Sequence, residues 1–174
     1  MATRQEERKR QALRQLQEVG VLMQAGHYDY GNGYHGRAYL NPHQLFLHPS
    51  TIWRLAQDLL DGRRSLSHPP SSFAPFTYVD GELSLRSFYA SHLDGRRVLL
   101  ADDVRNTGAT FERCASLVRR AGGTVIGTVE ICDRLEAVAE LDVPNYALTE
   151  YQAPENYPVD RCPMCKAGEP ITTF

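Results

Sequence analysis

Two adjacent carboxylates, Asp102 and Asp103, close an apolar run and lead into the short segment Val104–Thr110, VRNTGAT. Gly108 permits a close backbone approach, and successive peptide N–H groups ahead of a helix form a cradle for an anion. The hydroxyls of Thr107 and Thr110 add further donors. Carboxylates beside an anion site are wasteful unless they accept hydroxyl groups or hold a metal. A ribose phosphate satisfies both halves, with the phosphate on the amides and the vicinal hydroxyls on the carboxylates. The plain alternative is an Asp pair that ends a strand and caps the next turn. The apolar run before it and Thr-Gly-Ala-Thr after it favour the binding reading.

Three other places carry chemistry. Arg134 closes the run VEICDR, where a guanidinium fork suits a carboxylate ligand; a solvated strand cap is the ordinary alternative. Residues 26–41, GHYDYGNGYHGRAYLN, are rich in glycine and tyrosine and read first as packing or dimer surface. Cys162 and Cys165 make one C-x-x-C. A structural zinc site wants four ligands, and one clear pair is evident. A reduced structural turn is therefore favoured over a zinc shared across a dimer, and a redox role lacks a thioredoxin-like context.

The elements that must position these groups follow from pattern. The 174 residues, 42% hydrophobic and 23% charged with a formal net charge of −2, suit a single ordinary globular domain. No basic excess points to nucleic acid, and no apolar run is long enough to span a bilayer. The charged N-terminus lacks a signal-peptide core, so a cytoplasmic protein is expected. Leu13, Leu16 and Val19 predict a first helix over 4–19, and Gly20 could end it. Residues 26–41 read as short strands around a glycine turn. Residues 50–61 read as a helix with Ile52, Trp53, Leu55, Ala56, Leu59 and Leu60 on one broad face. A proline- and serine-rich connection, 63–75, precedes a hairpin of 76–79 and 83–89 about Asp80-Gly81. Strand 97–101, helix 110–121 and strand 124–132 then form a βαβ unit. One helical turn at 136–141, a last strand at 146–150 and an irregular tail from 152 complete the reading.

VLLADDVRNTGAT resembles the signature of the type I phosphoribosyltransferase family, with Arg105 and Asn106 standing where aliphatic and small residues are usual. The resemblance implies that Asp102 and Asp103 meet the ribose hydroxyls and act in catalysis. It also implies that Val104, Arg105, Asn106, Thr107, Gly108, Ala109 and Thr110 wrap the 5-phosphate of phosphoribosyl pyrophosphate. Residues 26–41, ELSLRSF, VEICDR and CPMCKAGEPIT are similar to stretches of the orotate-using members. That likeness implies base contacts from Tyr30 and Arg134, Arg86 as the cation nearest the pyrophosphate, and Mg²⁺ carried with the ligand. The implied fold is α/β: a three-layer, mostly parallel sheet in one domain, 1–174. Its parts are an N-terminal helix and hood over 1–49, a core over 50–150 and a CxxC tail over 151–174. The strand–loop–helix that carries the family's pyrophosphate loop has no counterpart between the helix at 50–61 and the hairpin, so the sheet is expected to be short by a strand. Its apolar edge invites a partner, and a homodimer is expected. The lysines are Lys9 and Lys166 alone, neither in a suitable catalytic loop. Three readings stay open: a transferase acting on orotate or a similar base, a non-catalytic binder of a phosphoribosyl ligand, and an internally shortened enzyme.

Overall fold

The computed structural model describes residues 3–30, 33–62, 71, 74–136, 139 and 141–173. The chain divides into two compact units, Met1–Leu55 with Thr149–Phe174, and Ala56–Leu148.

In the first unit, α1 (Arg4–Glu18) begins at a capping box, in which the Glu6 amide donates to Thr3 Oγ1 and the Thr3 amide donates to the Glu6 carboxylate. It buries Ala12, Gln15 and Leu16, then stops where Gly20 takes φ 73°. The glycine-tyrosine stretch resolves into four short strands: β1 (Leu22–Met23), β2 (Tyr28–Asp29), β3 (Tyr34–Gly36) and β4 (Tyr39–Leu40). β1 pairs with β4, and β3 lies between β2 and a strand from the far end of the chain, all antiparallel. A 3₁₀ helix, Pro42–Leu47, leads to α2 (Pro49–Gly62). The broad apolar face expected for α2 is narrower in fact. Leu55 is fully buried, whereas Trp53 and Leu60 are exposed.

In the second unit, β5 (Thr77–Val79) and β6 (Glu82–Ser84) form the expected hairpin. Asp80 and Gly81 both sit at positive φ, 51° and 78°, as a tight two-residue turn requires. The second arm is shorter than expected, because Ser87–Ala90 is a helical turn, α3, rather than strand. β7 (Arg97–Arg105), α4 (Ala109–Arg120) and β8 (Thr124–Asp133) make the βαβ unit. β7 and β8 run parallel, from Arg97 opposite Thr124 to Arg105 opposite Asp133. β9 (Asn145–Glu150) lies beyond β8, which leaves β7 as the terminal strand of this sheet among the described residues. Val98 and Leu100 of β7, Phe111, Cys114, Ala115 and Val118 of α4, and Val125 of β8 meet in the core with Leu93. The period of two on the strands and of 3.6 on the helix puts these residues on facing sides.

Two boundaries differ from expectation in ways that matter. β7 extends through Asp102 and Asp103 to Arg105, because β8 offers it ladder partners out to Asp133. The tail is not irregular. It holds β10 (Asn156–Pro158), a 3₁₀ turn at Val159–Arg161, and α5 (Pro163–Lys166). Gly31-Asn32, most of the 63–75 connection, and Ala137, Val138 and Glu140 of the expected helical turn lie outside the described residues.

Candidate active site

The loop between β7 and α4 is built by three local constraints. Gly108 caps α4 at φ 82°, a conformation that opposes any residue with a Cβ. A Cβ there would also lie 2.5 Å from the Ala139 carbonyl oxygen. Ala139 in turn donates its amide to the Thr107 carbonyl at 3.0 Å. Arg105, the unusual residue of the motif, points back into the fold. Its Nη1 lies 3.5 Å from Asp133 Oδ2, and its Nη2 donates to the Ala139 carbonyl at 3.3 Å. The Arg105 carbonyl accepts from the Arg134 amide at 2.9 Å. The substitution thus ties the loop to the chain that follows β8.

Asn106 and Thr107 are exposed, whereas Gly108 is buried. Among the described residues, the amides of Asn106, Thr107 and Gly108 donate to no protein acceptor. These three residues line a cavity of about 110 Å³ together with Asp102 and Thr110. An αL glycine ahead of a helix N-terminus turns consecutive N–H groups to one side, which is the arrangement an anion needs.

The carboxylates sit on a strand, so they leave from opposite faces. Each commits one oxygen to the next amide: Asp102 Oδ1 accepts from Asp103 at 3.0 Å, and Asp103 Oδ1 from Val104 at 2.6 Å. Asp102 also lines a larger, mainly apolar cleft of about 370 Å³ beside β7, with Phe76, Tyr78, Leu83 and Phe111. Burial, and then the charge of Asp103, push the Asp102 carboxyl above its ordinary range.

Beneath the loop lies a cluster that sequence reading missed. Glu130 is fully buried opposite Asp102 on β8, with Oε1 accepting from Asn145 Nδ2 at 2.8 Å and Oε2 meeting no donor among the described residues. Burial raises its pKa to about 7, against the lowering effect of the Asn145 hydrogen bond. A lone Glu in the β-branched run 124–132 was the one available signal.

The remaining expected site residues are placed as follows. Arg134 is buried, with Nη2 donating to Glu136 Oε1 at 3.1 Å. Arg86 is exposed at the start of α3. Tyr30 belongs to the first unit, where its hydroxyl donates to the Ala38 carbonyl at 2.6 Å and its ring stacks on Tyr39. Cys162 and Cys165 also belong to the first unit.

A strand carrying paired acids, a glycine turn into a helix and a parallel strand beyond them fit the phosphoribosyltransferase class. The chain belongs to the phosphoribosyl transferase domain family, which it matches over residues 70–161. Its fold is the type I fold of that family: the structure of orotate phosphoribosyltransferase from Aeropyrum pernix superposes with a TM-score of 0.63 at 17% identity, covering 79% of this chain and 92% of that one. The Mycobacterium tuberculosis orotate phosphoribosyltransferase, solved in complex with 5-phospho-α-D-ribosyl 1-diphosphate, superposes with a TM-score of 0.57 at 15% identity over 83% and 96% of the two chains. In sequence the chain is 28% identical to the orotate phosphoribosyltransferase of Desulforamulus reducens, over 88% of this chain and 89% of the relative.

Proposed function

We propose that this protein binds phosphoribosyl pyrophosphate on the Asp102–Thr110 loop and transfers the phosphoribosyl group to orotate or a similar base, releasing pyrophosphate. The observation that carries the reading is the set of three loop amides without an acceptor among the described residues, a short step beyond a carboxylate pair. The amides take the 5-phosphate, and Asp102 and Asp103 take the ribose hydroxyls. In the reaction the bond from the anomeric carbon to the pyrophosphate oxygen breaks, and a bond to a ring nitrogen forms. Positive charge gathers on the ribose ring, so the chain works by holding the sugar in place and keeping carboxylates near it.

Mg²⁺ fits this site, because hard cations bind through one or two carboxylates together with ligand phosphates, and Asp102 on the loop cavity offers such a donor. Bound there, it would neutralise charge on the departing pyrophosphate. Arg134 is the candidate carboxylate grip for the base, in competition with Glu136 for its guanidinium. Arg86 is the cation proposed for the pyrophosphate. A homodimer is part of the proposal, supported by the exposed Phe46, Leu47 and Trp53 of the first unit.

A second reading, a binder without catalysis, is favoured by where the two lysines fall. Lys9 sits in α1 paired with Glu150, and Lys166 sits in α5, both within the first unit. The second unit, which carries the loop, has none. Mixing the full chain with Mg²⁺, phosphoribosyl pyrophosphate and orotate separates the two. Release of pyrophosphate supports the transferase. Calorimetric binding without release at high protein concentration leaves the binder, and neither binding nor release removes both.

A further inference from the structure

We propose that His27, His35, Cys162 and Cys165 form a closed, structural Zn²⁺ site within the first unit. The inference is independent of the activity proposed above. It rests on a convergence that the sequence conceals, since two histidines near the start of the chain and the C-x-x-C near its end share one pocket.

One donor atom from each residue lies within 4.8 Å of the others. His27 Nε2 is 2.9 Å from His35 Nδ1, and His35 Nδ1 is 3.2 Å from Cys165 Sγ. Both sulfurs stand 3.6 Å from His27 Nε2. A tetrahedron with zinc–nitrogen bonds of about 2.0 Å and zinc–sulfur bonds of about 2.3 Å has edges of roughly 3.3–3.8 Å, so the four donors already stand near its corners. His27, His35 and Cys162 are all buried. No acidic oxygen or open position is needed to complete the set, which marks a structural rather than a catalytic zinc.

The outer nitrogens strengthen the case. His27 Nδ1 is 2.9 Å from the Glu169 carbonyl oxygen. A carbonyl only accepts, so Nδ1 carries the proton and Nε2 turns a lone pair inward. His35 Nε2 faces Asp29 Oδ1 at 3.8 Å, a carboxylate on the side away from the cluster. Outer oxygen partners of this kind are what orient metal-binding imidazoles. Without a cation, His35 Nδ1 and the two thiols all converge on the single lone pair of His27 Nε2. Zinc removes that competition: the two thiol protons leave to solvent, the His35 proton shifts to Nε2 beside Asp29, and all four inward atoms become ligands.

The surrounding backbone holds the two ends together. β10 pairs with β3 so that Tyr157 stands opposite His35. The Thr172 amide donates to the His27 carbonyl at 2.8 Å, and Asp29 donates back to Thr172 at 3.2 Å. Arg37 grips Glu169 through both terminal nitrogens, at 3.1 and 3.0 Å. Cys162 opens α5 and Cys165 lies within it, so the C-x-x-C is a single tight turn.

The test is metal analysis of the full chain purified without chelator. The expected result is one zinc per chain, lost in Cys162→Ser/Cys165→Ser. Because Cys162 is fully buried and its loss also bears on folding, the unaltered protein is exchanged into Co²⁺ as well. Thiolate-to-cobalt charge transfer together with the intense visible bands of tetrahedral cobalt is expected. Zinc far below one per chain, with both thiols freely titratable in the folded protein and no cobalt bands, overturns the site. Zinc retained at full content by a folded double-serine variant overturns it equally.

Discussion

The two units treat their polar groups in opposite ways. In the first, two imidazoles and two thiols aim at one another, and their outer atoms are met by the Glu169 carbonyl and the Asp29 carboxylate. In the second, Asn106, Thr107 and Gly108 line a cavity, and their amides meet no acceptor among the described residues. A group turned inward onto its own chain holds a fold together. A group left unsatisfied at a concave surface is held ready for something else, because an orphaned donor costs free energy that a ligand can recover. The pattern of satisfaction, more than the residue types, separates a structural centre from a binding one.

The sharpest break of that contrast is Asp103→Ala. Calorimetry should show binding of phosphoribosyl pyrophosphate abolished, while thermal unfolding moves by no more than about 1 kcal/mol, the worth of one hydrogen bond to the Val104 amide. Affinity equal to that of the unaltered protein would mean that the loop is not a ribose phosphate site.

Glu130 sharpens the contrast from within the second unit, since it is fully buried with only one oxygen met by a donor among the described residues. Its carboxyl is raised from 4.5 to about 7 by burial, so the folded chain holds a proton that the unfolded chain has already released. Stability from this group is therefore full below about pH 4.5 and fades as the pH climbs through 7. Over pH 5 to 8 the unaltered protein should lose about 2–3 kcal/mol relative to Glu130→Gln, as denaturant midpoints at each pH would read. Parallel pH profiles for the two proteins would show that the acid is ionised throughout.

The smallest effect is expected at Gly108. Replacement by Ala forces a side chain into the left-handed region, about 1–2 kcal/mol, and pushes its Cβ against the Ala139 carbonyl. Unfolding should report that loss, and ligand affinity should fall with it because the amides are turned. A stability equal to that of the unaltered protein would show that the loop does not need its present shape.

Much of the second unit was legible. Asp80-Gly81 announced a hairpin, and the run from Arg97 to Cys132 announced a strand, a helix and a parallel strand. The paired acids followed by Thr-Gly-Ala-Thr marked the loop. Local chemistry carried these signals, with turn residues, alternation and glycine each acting over a few positions. The reading failed where the cause was distant. β7 runs on to Arg105 because β8 supplies partners, and nothing between 97 and 105 encodes that length. The tail looked irregular because its order comes from β3 and from His27 rather than from its own pattern. The C-x-x-C looked like half a metal site because its complement stands far earlier in the chain, inside a stretch whose tyrosines drew the attention. Glu130 passed unnoticed because burial, not spacing, is what makes it unusual.

The stitching of Thr172 to His27 and Asp29 also fixes an order of events during synthesis. The hairpin with both histidines emerges before its partners at 156–172, with the whole ribose phosphate loop translated between them. A growing chain therefore carries an unfinished half-site while all of that intervening stretch is made. A stop codon anywhere before Cys162 would strand that half, even in a polypeptide that had already made the entire ribose phosphate loop.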